Sequence, residues 1–205
     1  MIHATMTWCH PIAVGFLGIT KCAHTSILHS LLEFGCGDPY DNQQIAEKWQ
    51  TPRYGTHYWT FTFVRNPYDR LVSGWADKVA NPHCVNSGMV YHRLAAQYGK
   101  AIVPGMSFPR FVQLLANTPP LTWDRHFQQQ SRFLSGCKLD FTGRVESMAS
   151  DWPVIESRAG REMPLGKPRR ASRRNRDYRA YYNADTRALV RRMYAEDLGR
   201  FGYNF

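Results

Sequence analysis

The amino-acid sequence predicts an α/β fold in which a central, mainly parallel β-sheet is flanked by helices. Two observations predict it. Short stretches rich in aromatic and β-branched residues alternate with segments whose apolar residues recur every three or four positions, an order that is typical of parallel sheets with helical crossovers. In addition, 43% of the 205 residues are hydrophobic, which is enough to build the core of one domain.

The first part of the chain predicts a strand, a helix and a long polar connection. Residues 14–19 form a short apolar strand, and residues 25–34 follow as a helix that ends at Gly35. Residues 36–56 are polar. They predict a loop that contains one short helix at residues 43–49.

The second predicted strand, residues 58–64, leads directly into a helix. Asn66 can cap this helix and Pro67 suits its first turn. Asp69 lies near the positive end of the helix dipole. The apolar face of the helix consists of Leu71, Val72, Trp75 and Val79.

The remaining elements have weaker patterns. Residues 81–105 show little periodicity and predict a variable insertion. Ser107 begins a short helix, and residues 123–134 predict another one. A third strand is predicted at residues 139–145 and a terminal helix at residues 184–198.

The chain is strongly basic, and its charge is unevenly distributed. The formal net charge is +10, from 26 lysine and arginine residues against 16 aspartate and glutamate residues. Residues 158–176 contain eight of the basic residues and one acidic residue, and they predict a basic loop whose part at residues 167–176 is flexible. Such a local excess favours an anionic partner without identifying it. An ordinary solvated surface segment is the alternative.

Cysteine usage and hydropathy indicate a reducing, aqueous environment. The five cysteines are odd in number and no two have CxxC spacing, so neither a disulfide framework nor a zinc site is predicted. No apolar run reaches the roughly 18 residues of a membrane-spanning helix, and the N-terminus lacks the pattern of a signal peptide. We therefore expect a cytoplasmic protein, unless the chain was trimmed from a longer parent.

The predicted turn between the first strand and helix, residues 18–26 (GITKCAHTS), has the composition of a phosphate-binding loop. Backbone N–H groups converge at such a turn, and the helix dipole adds about half a positive charge. Lys21 and the hydroxyl groups of Thr25 and Ser26 would complete the site. The loop does not match Walker A, so an ordinary turn with a solvated lysine remains open.

A second candidate anion site spans residues 61–75 (FTFVRNPYDRLVSGW). Arg65 closes the predicted strand at the edge where α/β sheets bind ligands. Ser73 lies two helical turns further on and could contact the same anion. A surface ion pair for Arg65 and a passive helix position for Ser73 are the alternatives.

Taken together, these segments resemble the sulfotransferases that use 3′-phosphoadenosine-5′-phosphosulfate (PAPS), most closely the carbohydrate-type branch and its bacterial relatives. In that family the first loop reads PK-x-G-x-T-S and holds the 5′-phosphosulfate; here residues 20–26 read TKCAHTS. The second motif, close to FVRNPxxRLVSxY, holds the 3′-phosphate, and residues 63–75 match it almost throughout. The resemblance implies a P-loop-like three-layer fold and a single sulfotransferase domain over residues 1–205.

The resemblance continues towards the C-terminus. Residues 124–130 are similar to the family segment DxHWxPQ, residues 140–146 to DFIGRFE, and residues 178–182 and 197–203 to the family's C-terminal segments. By position in these motifs, the implied donor-binding residues are Lys21, Cys22, Ala23, His24, Thr25, Ser26, Arg65, Ser73, Ser172 and Arg173.

The chain also departs from the family pattern at several positions of these motifs. Thr20 replaces the usual proline of the first loop, Ala23 its first glycine and His24 its second small residue. Residues 170–172 (RAS) stand where relatives often carry Asn-x-Ser. His24 could therefore crowd the sulfate or take part in the chemistry.

The resemblance implies transfer of a sulfuryl group from PAPS to a hydroxyl of a carbohydrate or small-molecule acceptor, with adenosine 3′,5′-bisphosphate (PAP) as product and no metal requirement. Lys21 and the loop N–H groups would stabilise the charge of the leaving group. We expect His126 to be the general base, with His24 second because it lies in the donor loop. A purely structural contact is the alternative for His126.

Two other functions remain open from the sequence. A nucleotide or small-molecule kinase would use a similar cradle, although it would need a true Walker A loop and a metal-binding acid. A basic nucleic-acid-binding protein would follow from the charge of residues 158–176, but no recognition motif supports it and we expect no nucleic-acid partner. The sequence predicts neither the identity of the acceptor nor the oligomeric state.

Overall fold

A computed structural model describes residues 5–32, 53–81, 89–165, 175 and 177–205. The chain divides into two compact units, the first made of Met1–Arg65 and Phe133–Ala171, the second of Asn66–Arg132 and Ser172–Phe205. The single-domain organisation stays a prediction. The expected helix at residues 43–49 and the site residues Ser172 and Arg173 lie outside the described residues.

The first unit contains a four-stranded sheet in the order β1-β2-β3-β4. Strand β1 runs antiparallel to β2, whereas β2, β3 and β4 are parallel to one another. The prediction of an α/β fold with a mainly parallel sheet flanked by helices is confirmed. The strands are β1 (Thr5–Cys9), β2 (Val14–Gly18), β3 (Trp59–Val64) and β4 (Phe141–Arg144).

Two helices of the first unit, α1 (His24–Leu32) and α6 (Met148–Ala159), cover one face of this sheet. Phe16 of β2 pairs in register with Phe61 of β3. The core around this pair consists of Cys9, Val14, Ile27, Leu31, Phe63, Trp152, Ile155 and Met163. Central strands that are rich in apolar residues are typical of a sheet that is buried in an α/β fold.

Strand β4 is held to β3 by a polar contact at its start and a close packing contact in its middle. The Asp140 carboxylate accepts hydrogen bonds from the backbone N–H and the hydroxyl of Thr60, at 2.7 and 2.9 Å. Gly143 lies opposite Phe63, and a Cβ added at this glycine would lie 2.5 Å from Cε1 of the Phe63 ring. The glycine of the DFTGRVE segment thus leaves room for the phenyl ring.

The second unit is helical. The helices among its described residues are α2 (Pro67–Lys78), α3 (Met89–Tyr98), α4 (Phe108–Ala116), α7 (Ala184–Met193) and α8 (Ala195–Phe201). A further short helix is α5 (Gln130–Phe133). The core of the second unit is built by Leu71, Val72, Val79, Leu94, Phe111, Val112, Leu115, Phe127, Val190 and Tyr194.

Several predicted elements differ from the structure. The helix expected at residues 123–134 is wrong over most of its length, because residues 125–127 form a turn in which the Asp124 carboxylate accepts from the N–H of His126, and the chain is helical only at α5. The terminal helix is two helices, α7 and α8, that meet at Tyr194. The weakly patterned segment 81–105 contains α3.

Strand β1 was not anticipated by the sequence analysis. Its pattern TMTWC is short and alternates buried and part-buried side chains from Met6 to Cys9, as expected for a strand with one covered face. Trp8 pairs with Gly15, and a Cβ at Gly15 would lie 2.7 Å from the indole ring. The strand therefore depends on a glycine of its neighbour.

We predict that Gly143→Ala destabilises the protein by about 1–3 kcal/mol, because the added methyl group overpacks against Phe63. Gly199→Ala is the matched control, since position 199 lies within α8 with nothing within 4 Å of the new methyl group. There the same substitution should stabilise by about 0.5–1 kcal/mol. Urea unfolding measures both; equal effects would contradict the packing argument.

Candidate active site

The turn between β2 and α1 depends on two residues in the left-handed backbone region. Lys21 has a φ angle of 68° and Ala23 one of 54°, and residues with a Cβ enter this region at a cost of about 1–2 kcal/mol. The N–H of Cys22 donates to the carbonyl of Ile19 at 3.2 Å and closes the turn. The amino end of α1 therefore follows directly after the carboxyl end of β2.

The first turn of α1 offers groups that suit an anion. Intrahelical bonding begins with the N–H of Ile27, which donates to the carbonyl of Ala23 at 3.0 Å. The N–H groups that precede it lie at the positive end of the helix dipole. The side chain of Thr25 is exposed, whereas those of Cys22 and Ser26 are buried. Of these three side chains, that of Thr25 is the most accessible to a ligand.

Arg65 is joined to this turn by a hydrogen bond. Its Nη1 donates to the carbonyl oxygen of Lys21 at 3.2 Å. Because β2 and β3 are parallel, their carboxyl ends lie at the same edge of the sheet, and this edge carries both cationic residues. Two like charges near one helix N-terminus create a positive potential that attracts a polyanion.

His24 lies against the end of β2. Its ring packs beside Phe16, with 5.9 Å between the ring centroids. It also occupies the space above Gly18, because a Cβ added there would overlap the imidazole. The histidine that replaces a small residue of the family loop is therefore accommodated by a neighbouring glycine and held by packing on the sheet.

In the second unit, the N-terminus of α2 is capped as the sequence predicts. The side chain of Asn66 accepts a hydrogen bond from the N–H of Tyr68, and Pro67 takes the first helical position. The Asn66 amide also donates to the carbonyl of Asn204 at 2.7 Å and to the hydroxyl of Tyr178 at 3.2 Å. Ser73 follows on this helix and is buried.

His126 is held by a carboxylate. Its Nδ1 lies 2.6 Å from Oδ1 of Asp124, and its backbone N–H donates to the same oxygen at 3.0 Å. Nε and Nη2 of Arg93 donate to the other carboxylate oxygen at 3.1 and 2.9 Å. Burial alone would raise the pKa of Asp124, but the hydrogen bonds from His126 and Arg93 hold that pKa well below its usual range.

The state of Asp124 determines which ring nitrogen of His126 carries a proton. An ionised carboxylate can only accept a hydrogen bond, so Nδ1 must be the donor. In the neutral imidazole, Nε2 then has the lone pair that a general base needs. The side chain of His126 is 15% exposed.

The sequence placed Asp124 in the segment that resembles DxHWxPQ but did not predict its contact with His126. The contribution of Arg93 was not predicted at all. The two residues are separated by 31 positions, and Arg93 lies in α3, a segment without a clear sequence pattern. The DxH spacing of the motif was a usable signal for Asp124, since a carboxylate two residues before a histidine can accept from its Nδ1. Nothing local indicates the contribution of Arg93.

The described residues contain neither a cluster of metal ligands nor a membrane-spanning helix. Within residues 5–32, 53–81, 89–165, 175 and 177–205, no group of three histidine, cysteine, aspartate or glutamate side chains is placed to hold a metal ion. None of the helices among these residues is long and apolar enough to span a bilayer.

Comparison with known proteins places these features in a family. The sequence profile of the Sulfotransferase family matches residues 16–204, which include both anion-site motifs and His126. The chain belongs to the sulfotransferase family. No solved structure is significantly similar to it.

Curated relatives carry carbohydrate sulfotransferase names. Carbohydrate sulfotransferase 8 of Mus musculus and of Homo sapiens are each 32% identical over 147 residues, or 61% of this chain. Carbohydrate sulfotransferase 9 of Homo sapiens is 27% identical over 205 residues, or 89% of this chain. The matches cover 32%, 31% and 42% of these relatives, so the chain spans well under half of their length.

We predict that Ala23→Gly stabilises the protein by about 0.5–1 kcal/mol, because glycine adopts a φ of 54° without the strain of a Cβ. Ala13→Gly should behave alike, since Ala13 has a φ of 50° outside the loop. Ala188→Gly, on an exposed position of α7, should instead destabilise by about 1 kcal/mol. Thermal unfolding measures all three; a lower melting temperature for Ala23→Gly would contradict this account of the turn.

Proposed function

We propose that this protein is a PAPS-dependent sulfotransferase that transfers a sulfuryl group to a hydroxyl of a carbohydrate acceptor. The observation that carries the proposal is the hydrogen bond between Arg65 and the carbonyl of Lys21. It joins the motif for the 3′-phosphate to the loop for the 5′-phosphosulfate. Family membership and the names of the curated relatives support the same conclusion.

The residues at the edge of β2 and β3 suit a nucleotide with several negative charges. Lys21 and Arg65 supply two positive charges, and the first turn of α1 supplies N–H groups and the exposed hydroxyl of Thr25. Arg65 recognises the 3′-phosphate in this proposal. Ser73 has the role that its motif implies, a hydroxyl donor to that phosphate, and Ser172 and Arg173 remain proposed donor-binding residues.

The donor supplies an activated sulfuryl group and a bisphosphate leaving group. Lys21 stabilises the negative charge that develops on the bridging oxygen as its bond to sulfur breaks. His126 accepts the proton of the acceptor hydroxyl at Nε2, while the acceptor oxygen forms its bond to sulfur. Asp124 stabilises the resulting imidazolium through Nδ1. His24 remains the second candidate for the base.

A sugar hydroxyl is the proposed acceptor because the curated relatives are named carbohydrate sulfotransferases. A small metabolite with a hydroxyl group is the other acceptor class that the chemistry admits. Incubation with labelled donor and pools of saccharides or hydroxylated metabolites distinguishes the two. Label transfer to the metabolites alone would overturn the carbohydrate assignment.

We predict that PAP raises the melting temperature by about 5–10 °C at a hundredfold excess over its Kd, without added magnesium. Arg65→Ala should weaken PAP binding by about 10- to 100-fold, because a charged phosphate loses its partner. Arg53→Ala is the control, since Arg53 is exposed and lies outside the motifs. Stabilisation by ATP with magnesium but not by PAP would replace this proposal with a kinase.

We predict that His126→Ala lowers kcat by about 10²- to 10⁴-fold and leaves PAP affinity within twofold. Asp124→Asn should shift the acidic limb of the pH–rate profile to lower pH by about one unit, because the imidazolium loses its carboxylate. Asp124 itself stays ionised throughout such an assay, since its lowered pKa lies below the ordinary 3.8. An unchanged acidic limb in Asp124→Asn would exclude His126 as the base.

A further inference from the structure

Arg70, the second arginine of the 3′-phosphate motif, is directed into the second unit. Its side chain lies on α2 with 1% exposure. Nη1 donates to the carbonyl oxygen of Gln128 at 2.6 Å, and Nη2 donates to that of Arg125 at 3.3 Å. One guanidinium group therefore bridges two carbonyl oxygens that flank His126.

The turn that carries His126 is fixed at further points. The hydroxyl of Tyr194 donates to the carbonyl oxygen of Phe127 at 2.5 Å, and burial raises the pKa of Tyr194, so this hydroxyl keeps its proton. The backbone of α2 approaches the turn at Gly74. A Cβ there would lie 2.8 Å from the ring of Phe127 and 3.4 Å from the carbonyl oxygen of His126.

A buried guanidinium carries a large desolvation cost, which must be offset by hydrogen bonds and nearby charge. The carbonyls of Arg125 and Gln128 supply part of this compensation. The carboxylate of Asp197 is also fully buried in this unit and caps α5 by accepting from the N–H groups of Gln130 and Ser131. The polar groups on both sides of the His126 turn are thus fixed by buried partners.

We propose that Arg70 is a positioning residue that sets the orientation of the His126 ring by holding the carbonyls on either side of it. This inference rests on the proposed function, in which His126 is the base. It adds that α2, the helix that carries Ser73, also fixes the base. Replacement of Arg70 should therefore affect turnover while leaving donor binding intact.

The test compares Arg70→Gln and Arg70→Lys with wild type in three measurements: PAP affinity, steady-state kinetics, and the ring ¹⁵N resonances of His126. Comparison with a His126→Gln spectrum assigns these resonances among the eight histidines. We expect kcat to fall at least tenfold in Arg70→Gln, with KM for the donor and PAP affinity within twofold. The His126 resonances should move away from the Nδ1–H tautomer, and lysine, which cannot span both carbonyls, should restore them only partly.

Arg200→Gln is the matched control. Arg200 also donates to a carbonyl of this segment, that of Ser131 at 3.5 Å, but beyond the His126 turn. It should lower stability slightly without changing the His126 resonances or kcat. The proposal is wrong if Arg70→Gln folds, its kcat stays within twofold of the wild-type value, and its His126 resonances match those of wild type within experimental error.

The experiment also covers two other outcomes, a variant that does not fold and a wrong assignment of the base. If Arg70→Gln fails to fold, Arg70→Lys carries the test alone, because lysine keeps the positive charge but cannot span both carbonyls. His126 resonances identical to those of wild type in Arg70→Lys would then overturn the proposal. If His126→Ala retains full activity, the assignment of the base fails. The ¹⁵N spectra would still report whether Arg70 orients the ring, because that readout does not require sulfuryl transfer.

Discussion

The hydrogen bond from Arg65 to the carbonyl of Lys21 is the interaction on which the proposed donor site depends. The turn that it holds contains two left-handed residues with side chains, Lys21 and Ala23, a conformation that costs energy and persists only where its surroundings enforce it. Arg65 is placed to do so because the parallel pairing of β2 and β3 brings the strand ends together. Sheet topology, rather than sequence proximity, therefore brings the two motifs to one edge.

In the second unit, several contacts constrain the orientation of the His126 imidazole. A histidine without hydrogen-bond partners has several rotamers and two neutral tautomers, and fixing one of each requires partners on the ring and on the backbone. The carboxylate of Asp124 contacts the ring of His126, whereas Arg70 and Tyr194 hold the backbone carbonyls of the turn. Partners on the ring and on the backbone thus both constrain this histidine.

The sequence predicted the sheet better than the helices. The stretch of residues 58–64 is uniformly aromatic and β-branched, so its burial was readable without tertiary information, and β3 lies at Trp59–Val64. The helix predicted at residues 123–134 is mostly absent because the Asp124 side chain competes for a backbone N–H group, that of His126. Apolar periodicity, on which the prediction was based, does not report such competition. The hydrogen-bond partners of Arg93 and Arg70 could not be predicted from the sequence, because these contacts join residues 31 and 58 positions apart and depend on the fold.

Of the two histidines that could act as the base, the contacts favour His126. A general base needs one nitrogen with a lone pair and a way to stabilise the cation that forms. A carboxylate whose pKa is held low meets both needs for His126, because it accepts the Nδ1 proton and remains negative when the ring becomes charged. The ring of His24 packs beside Phe16 and fills the space above Gly18. Packing of this kind lets His24 shape the loop in which it lies, and His24 stays the second candidate for the base.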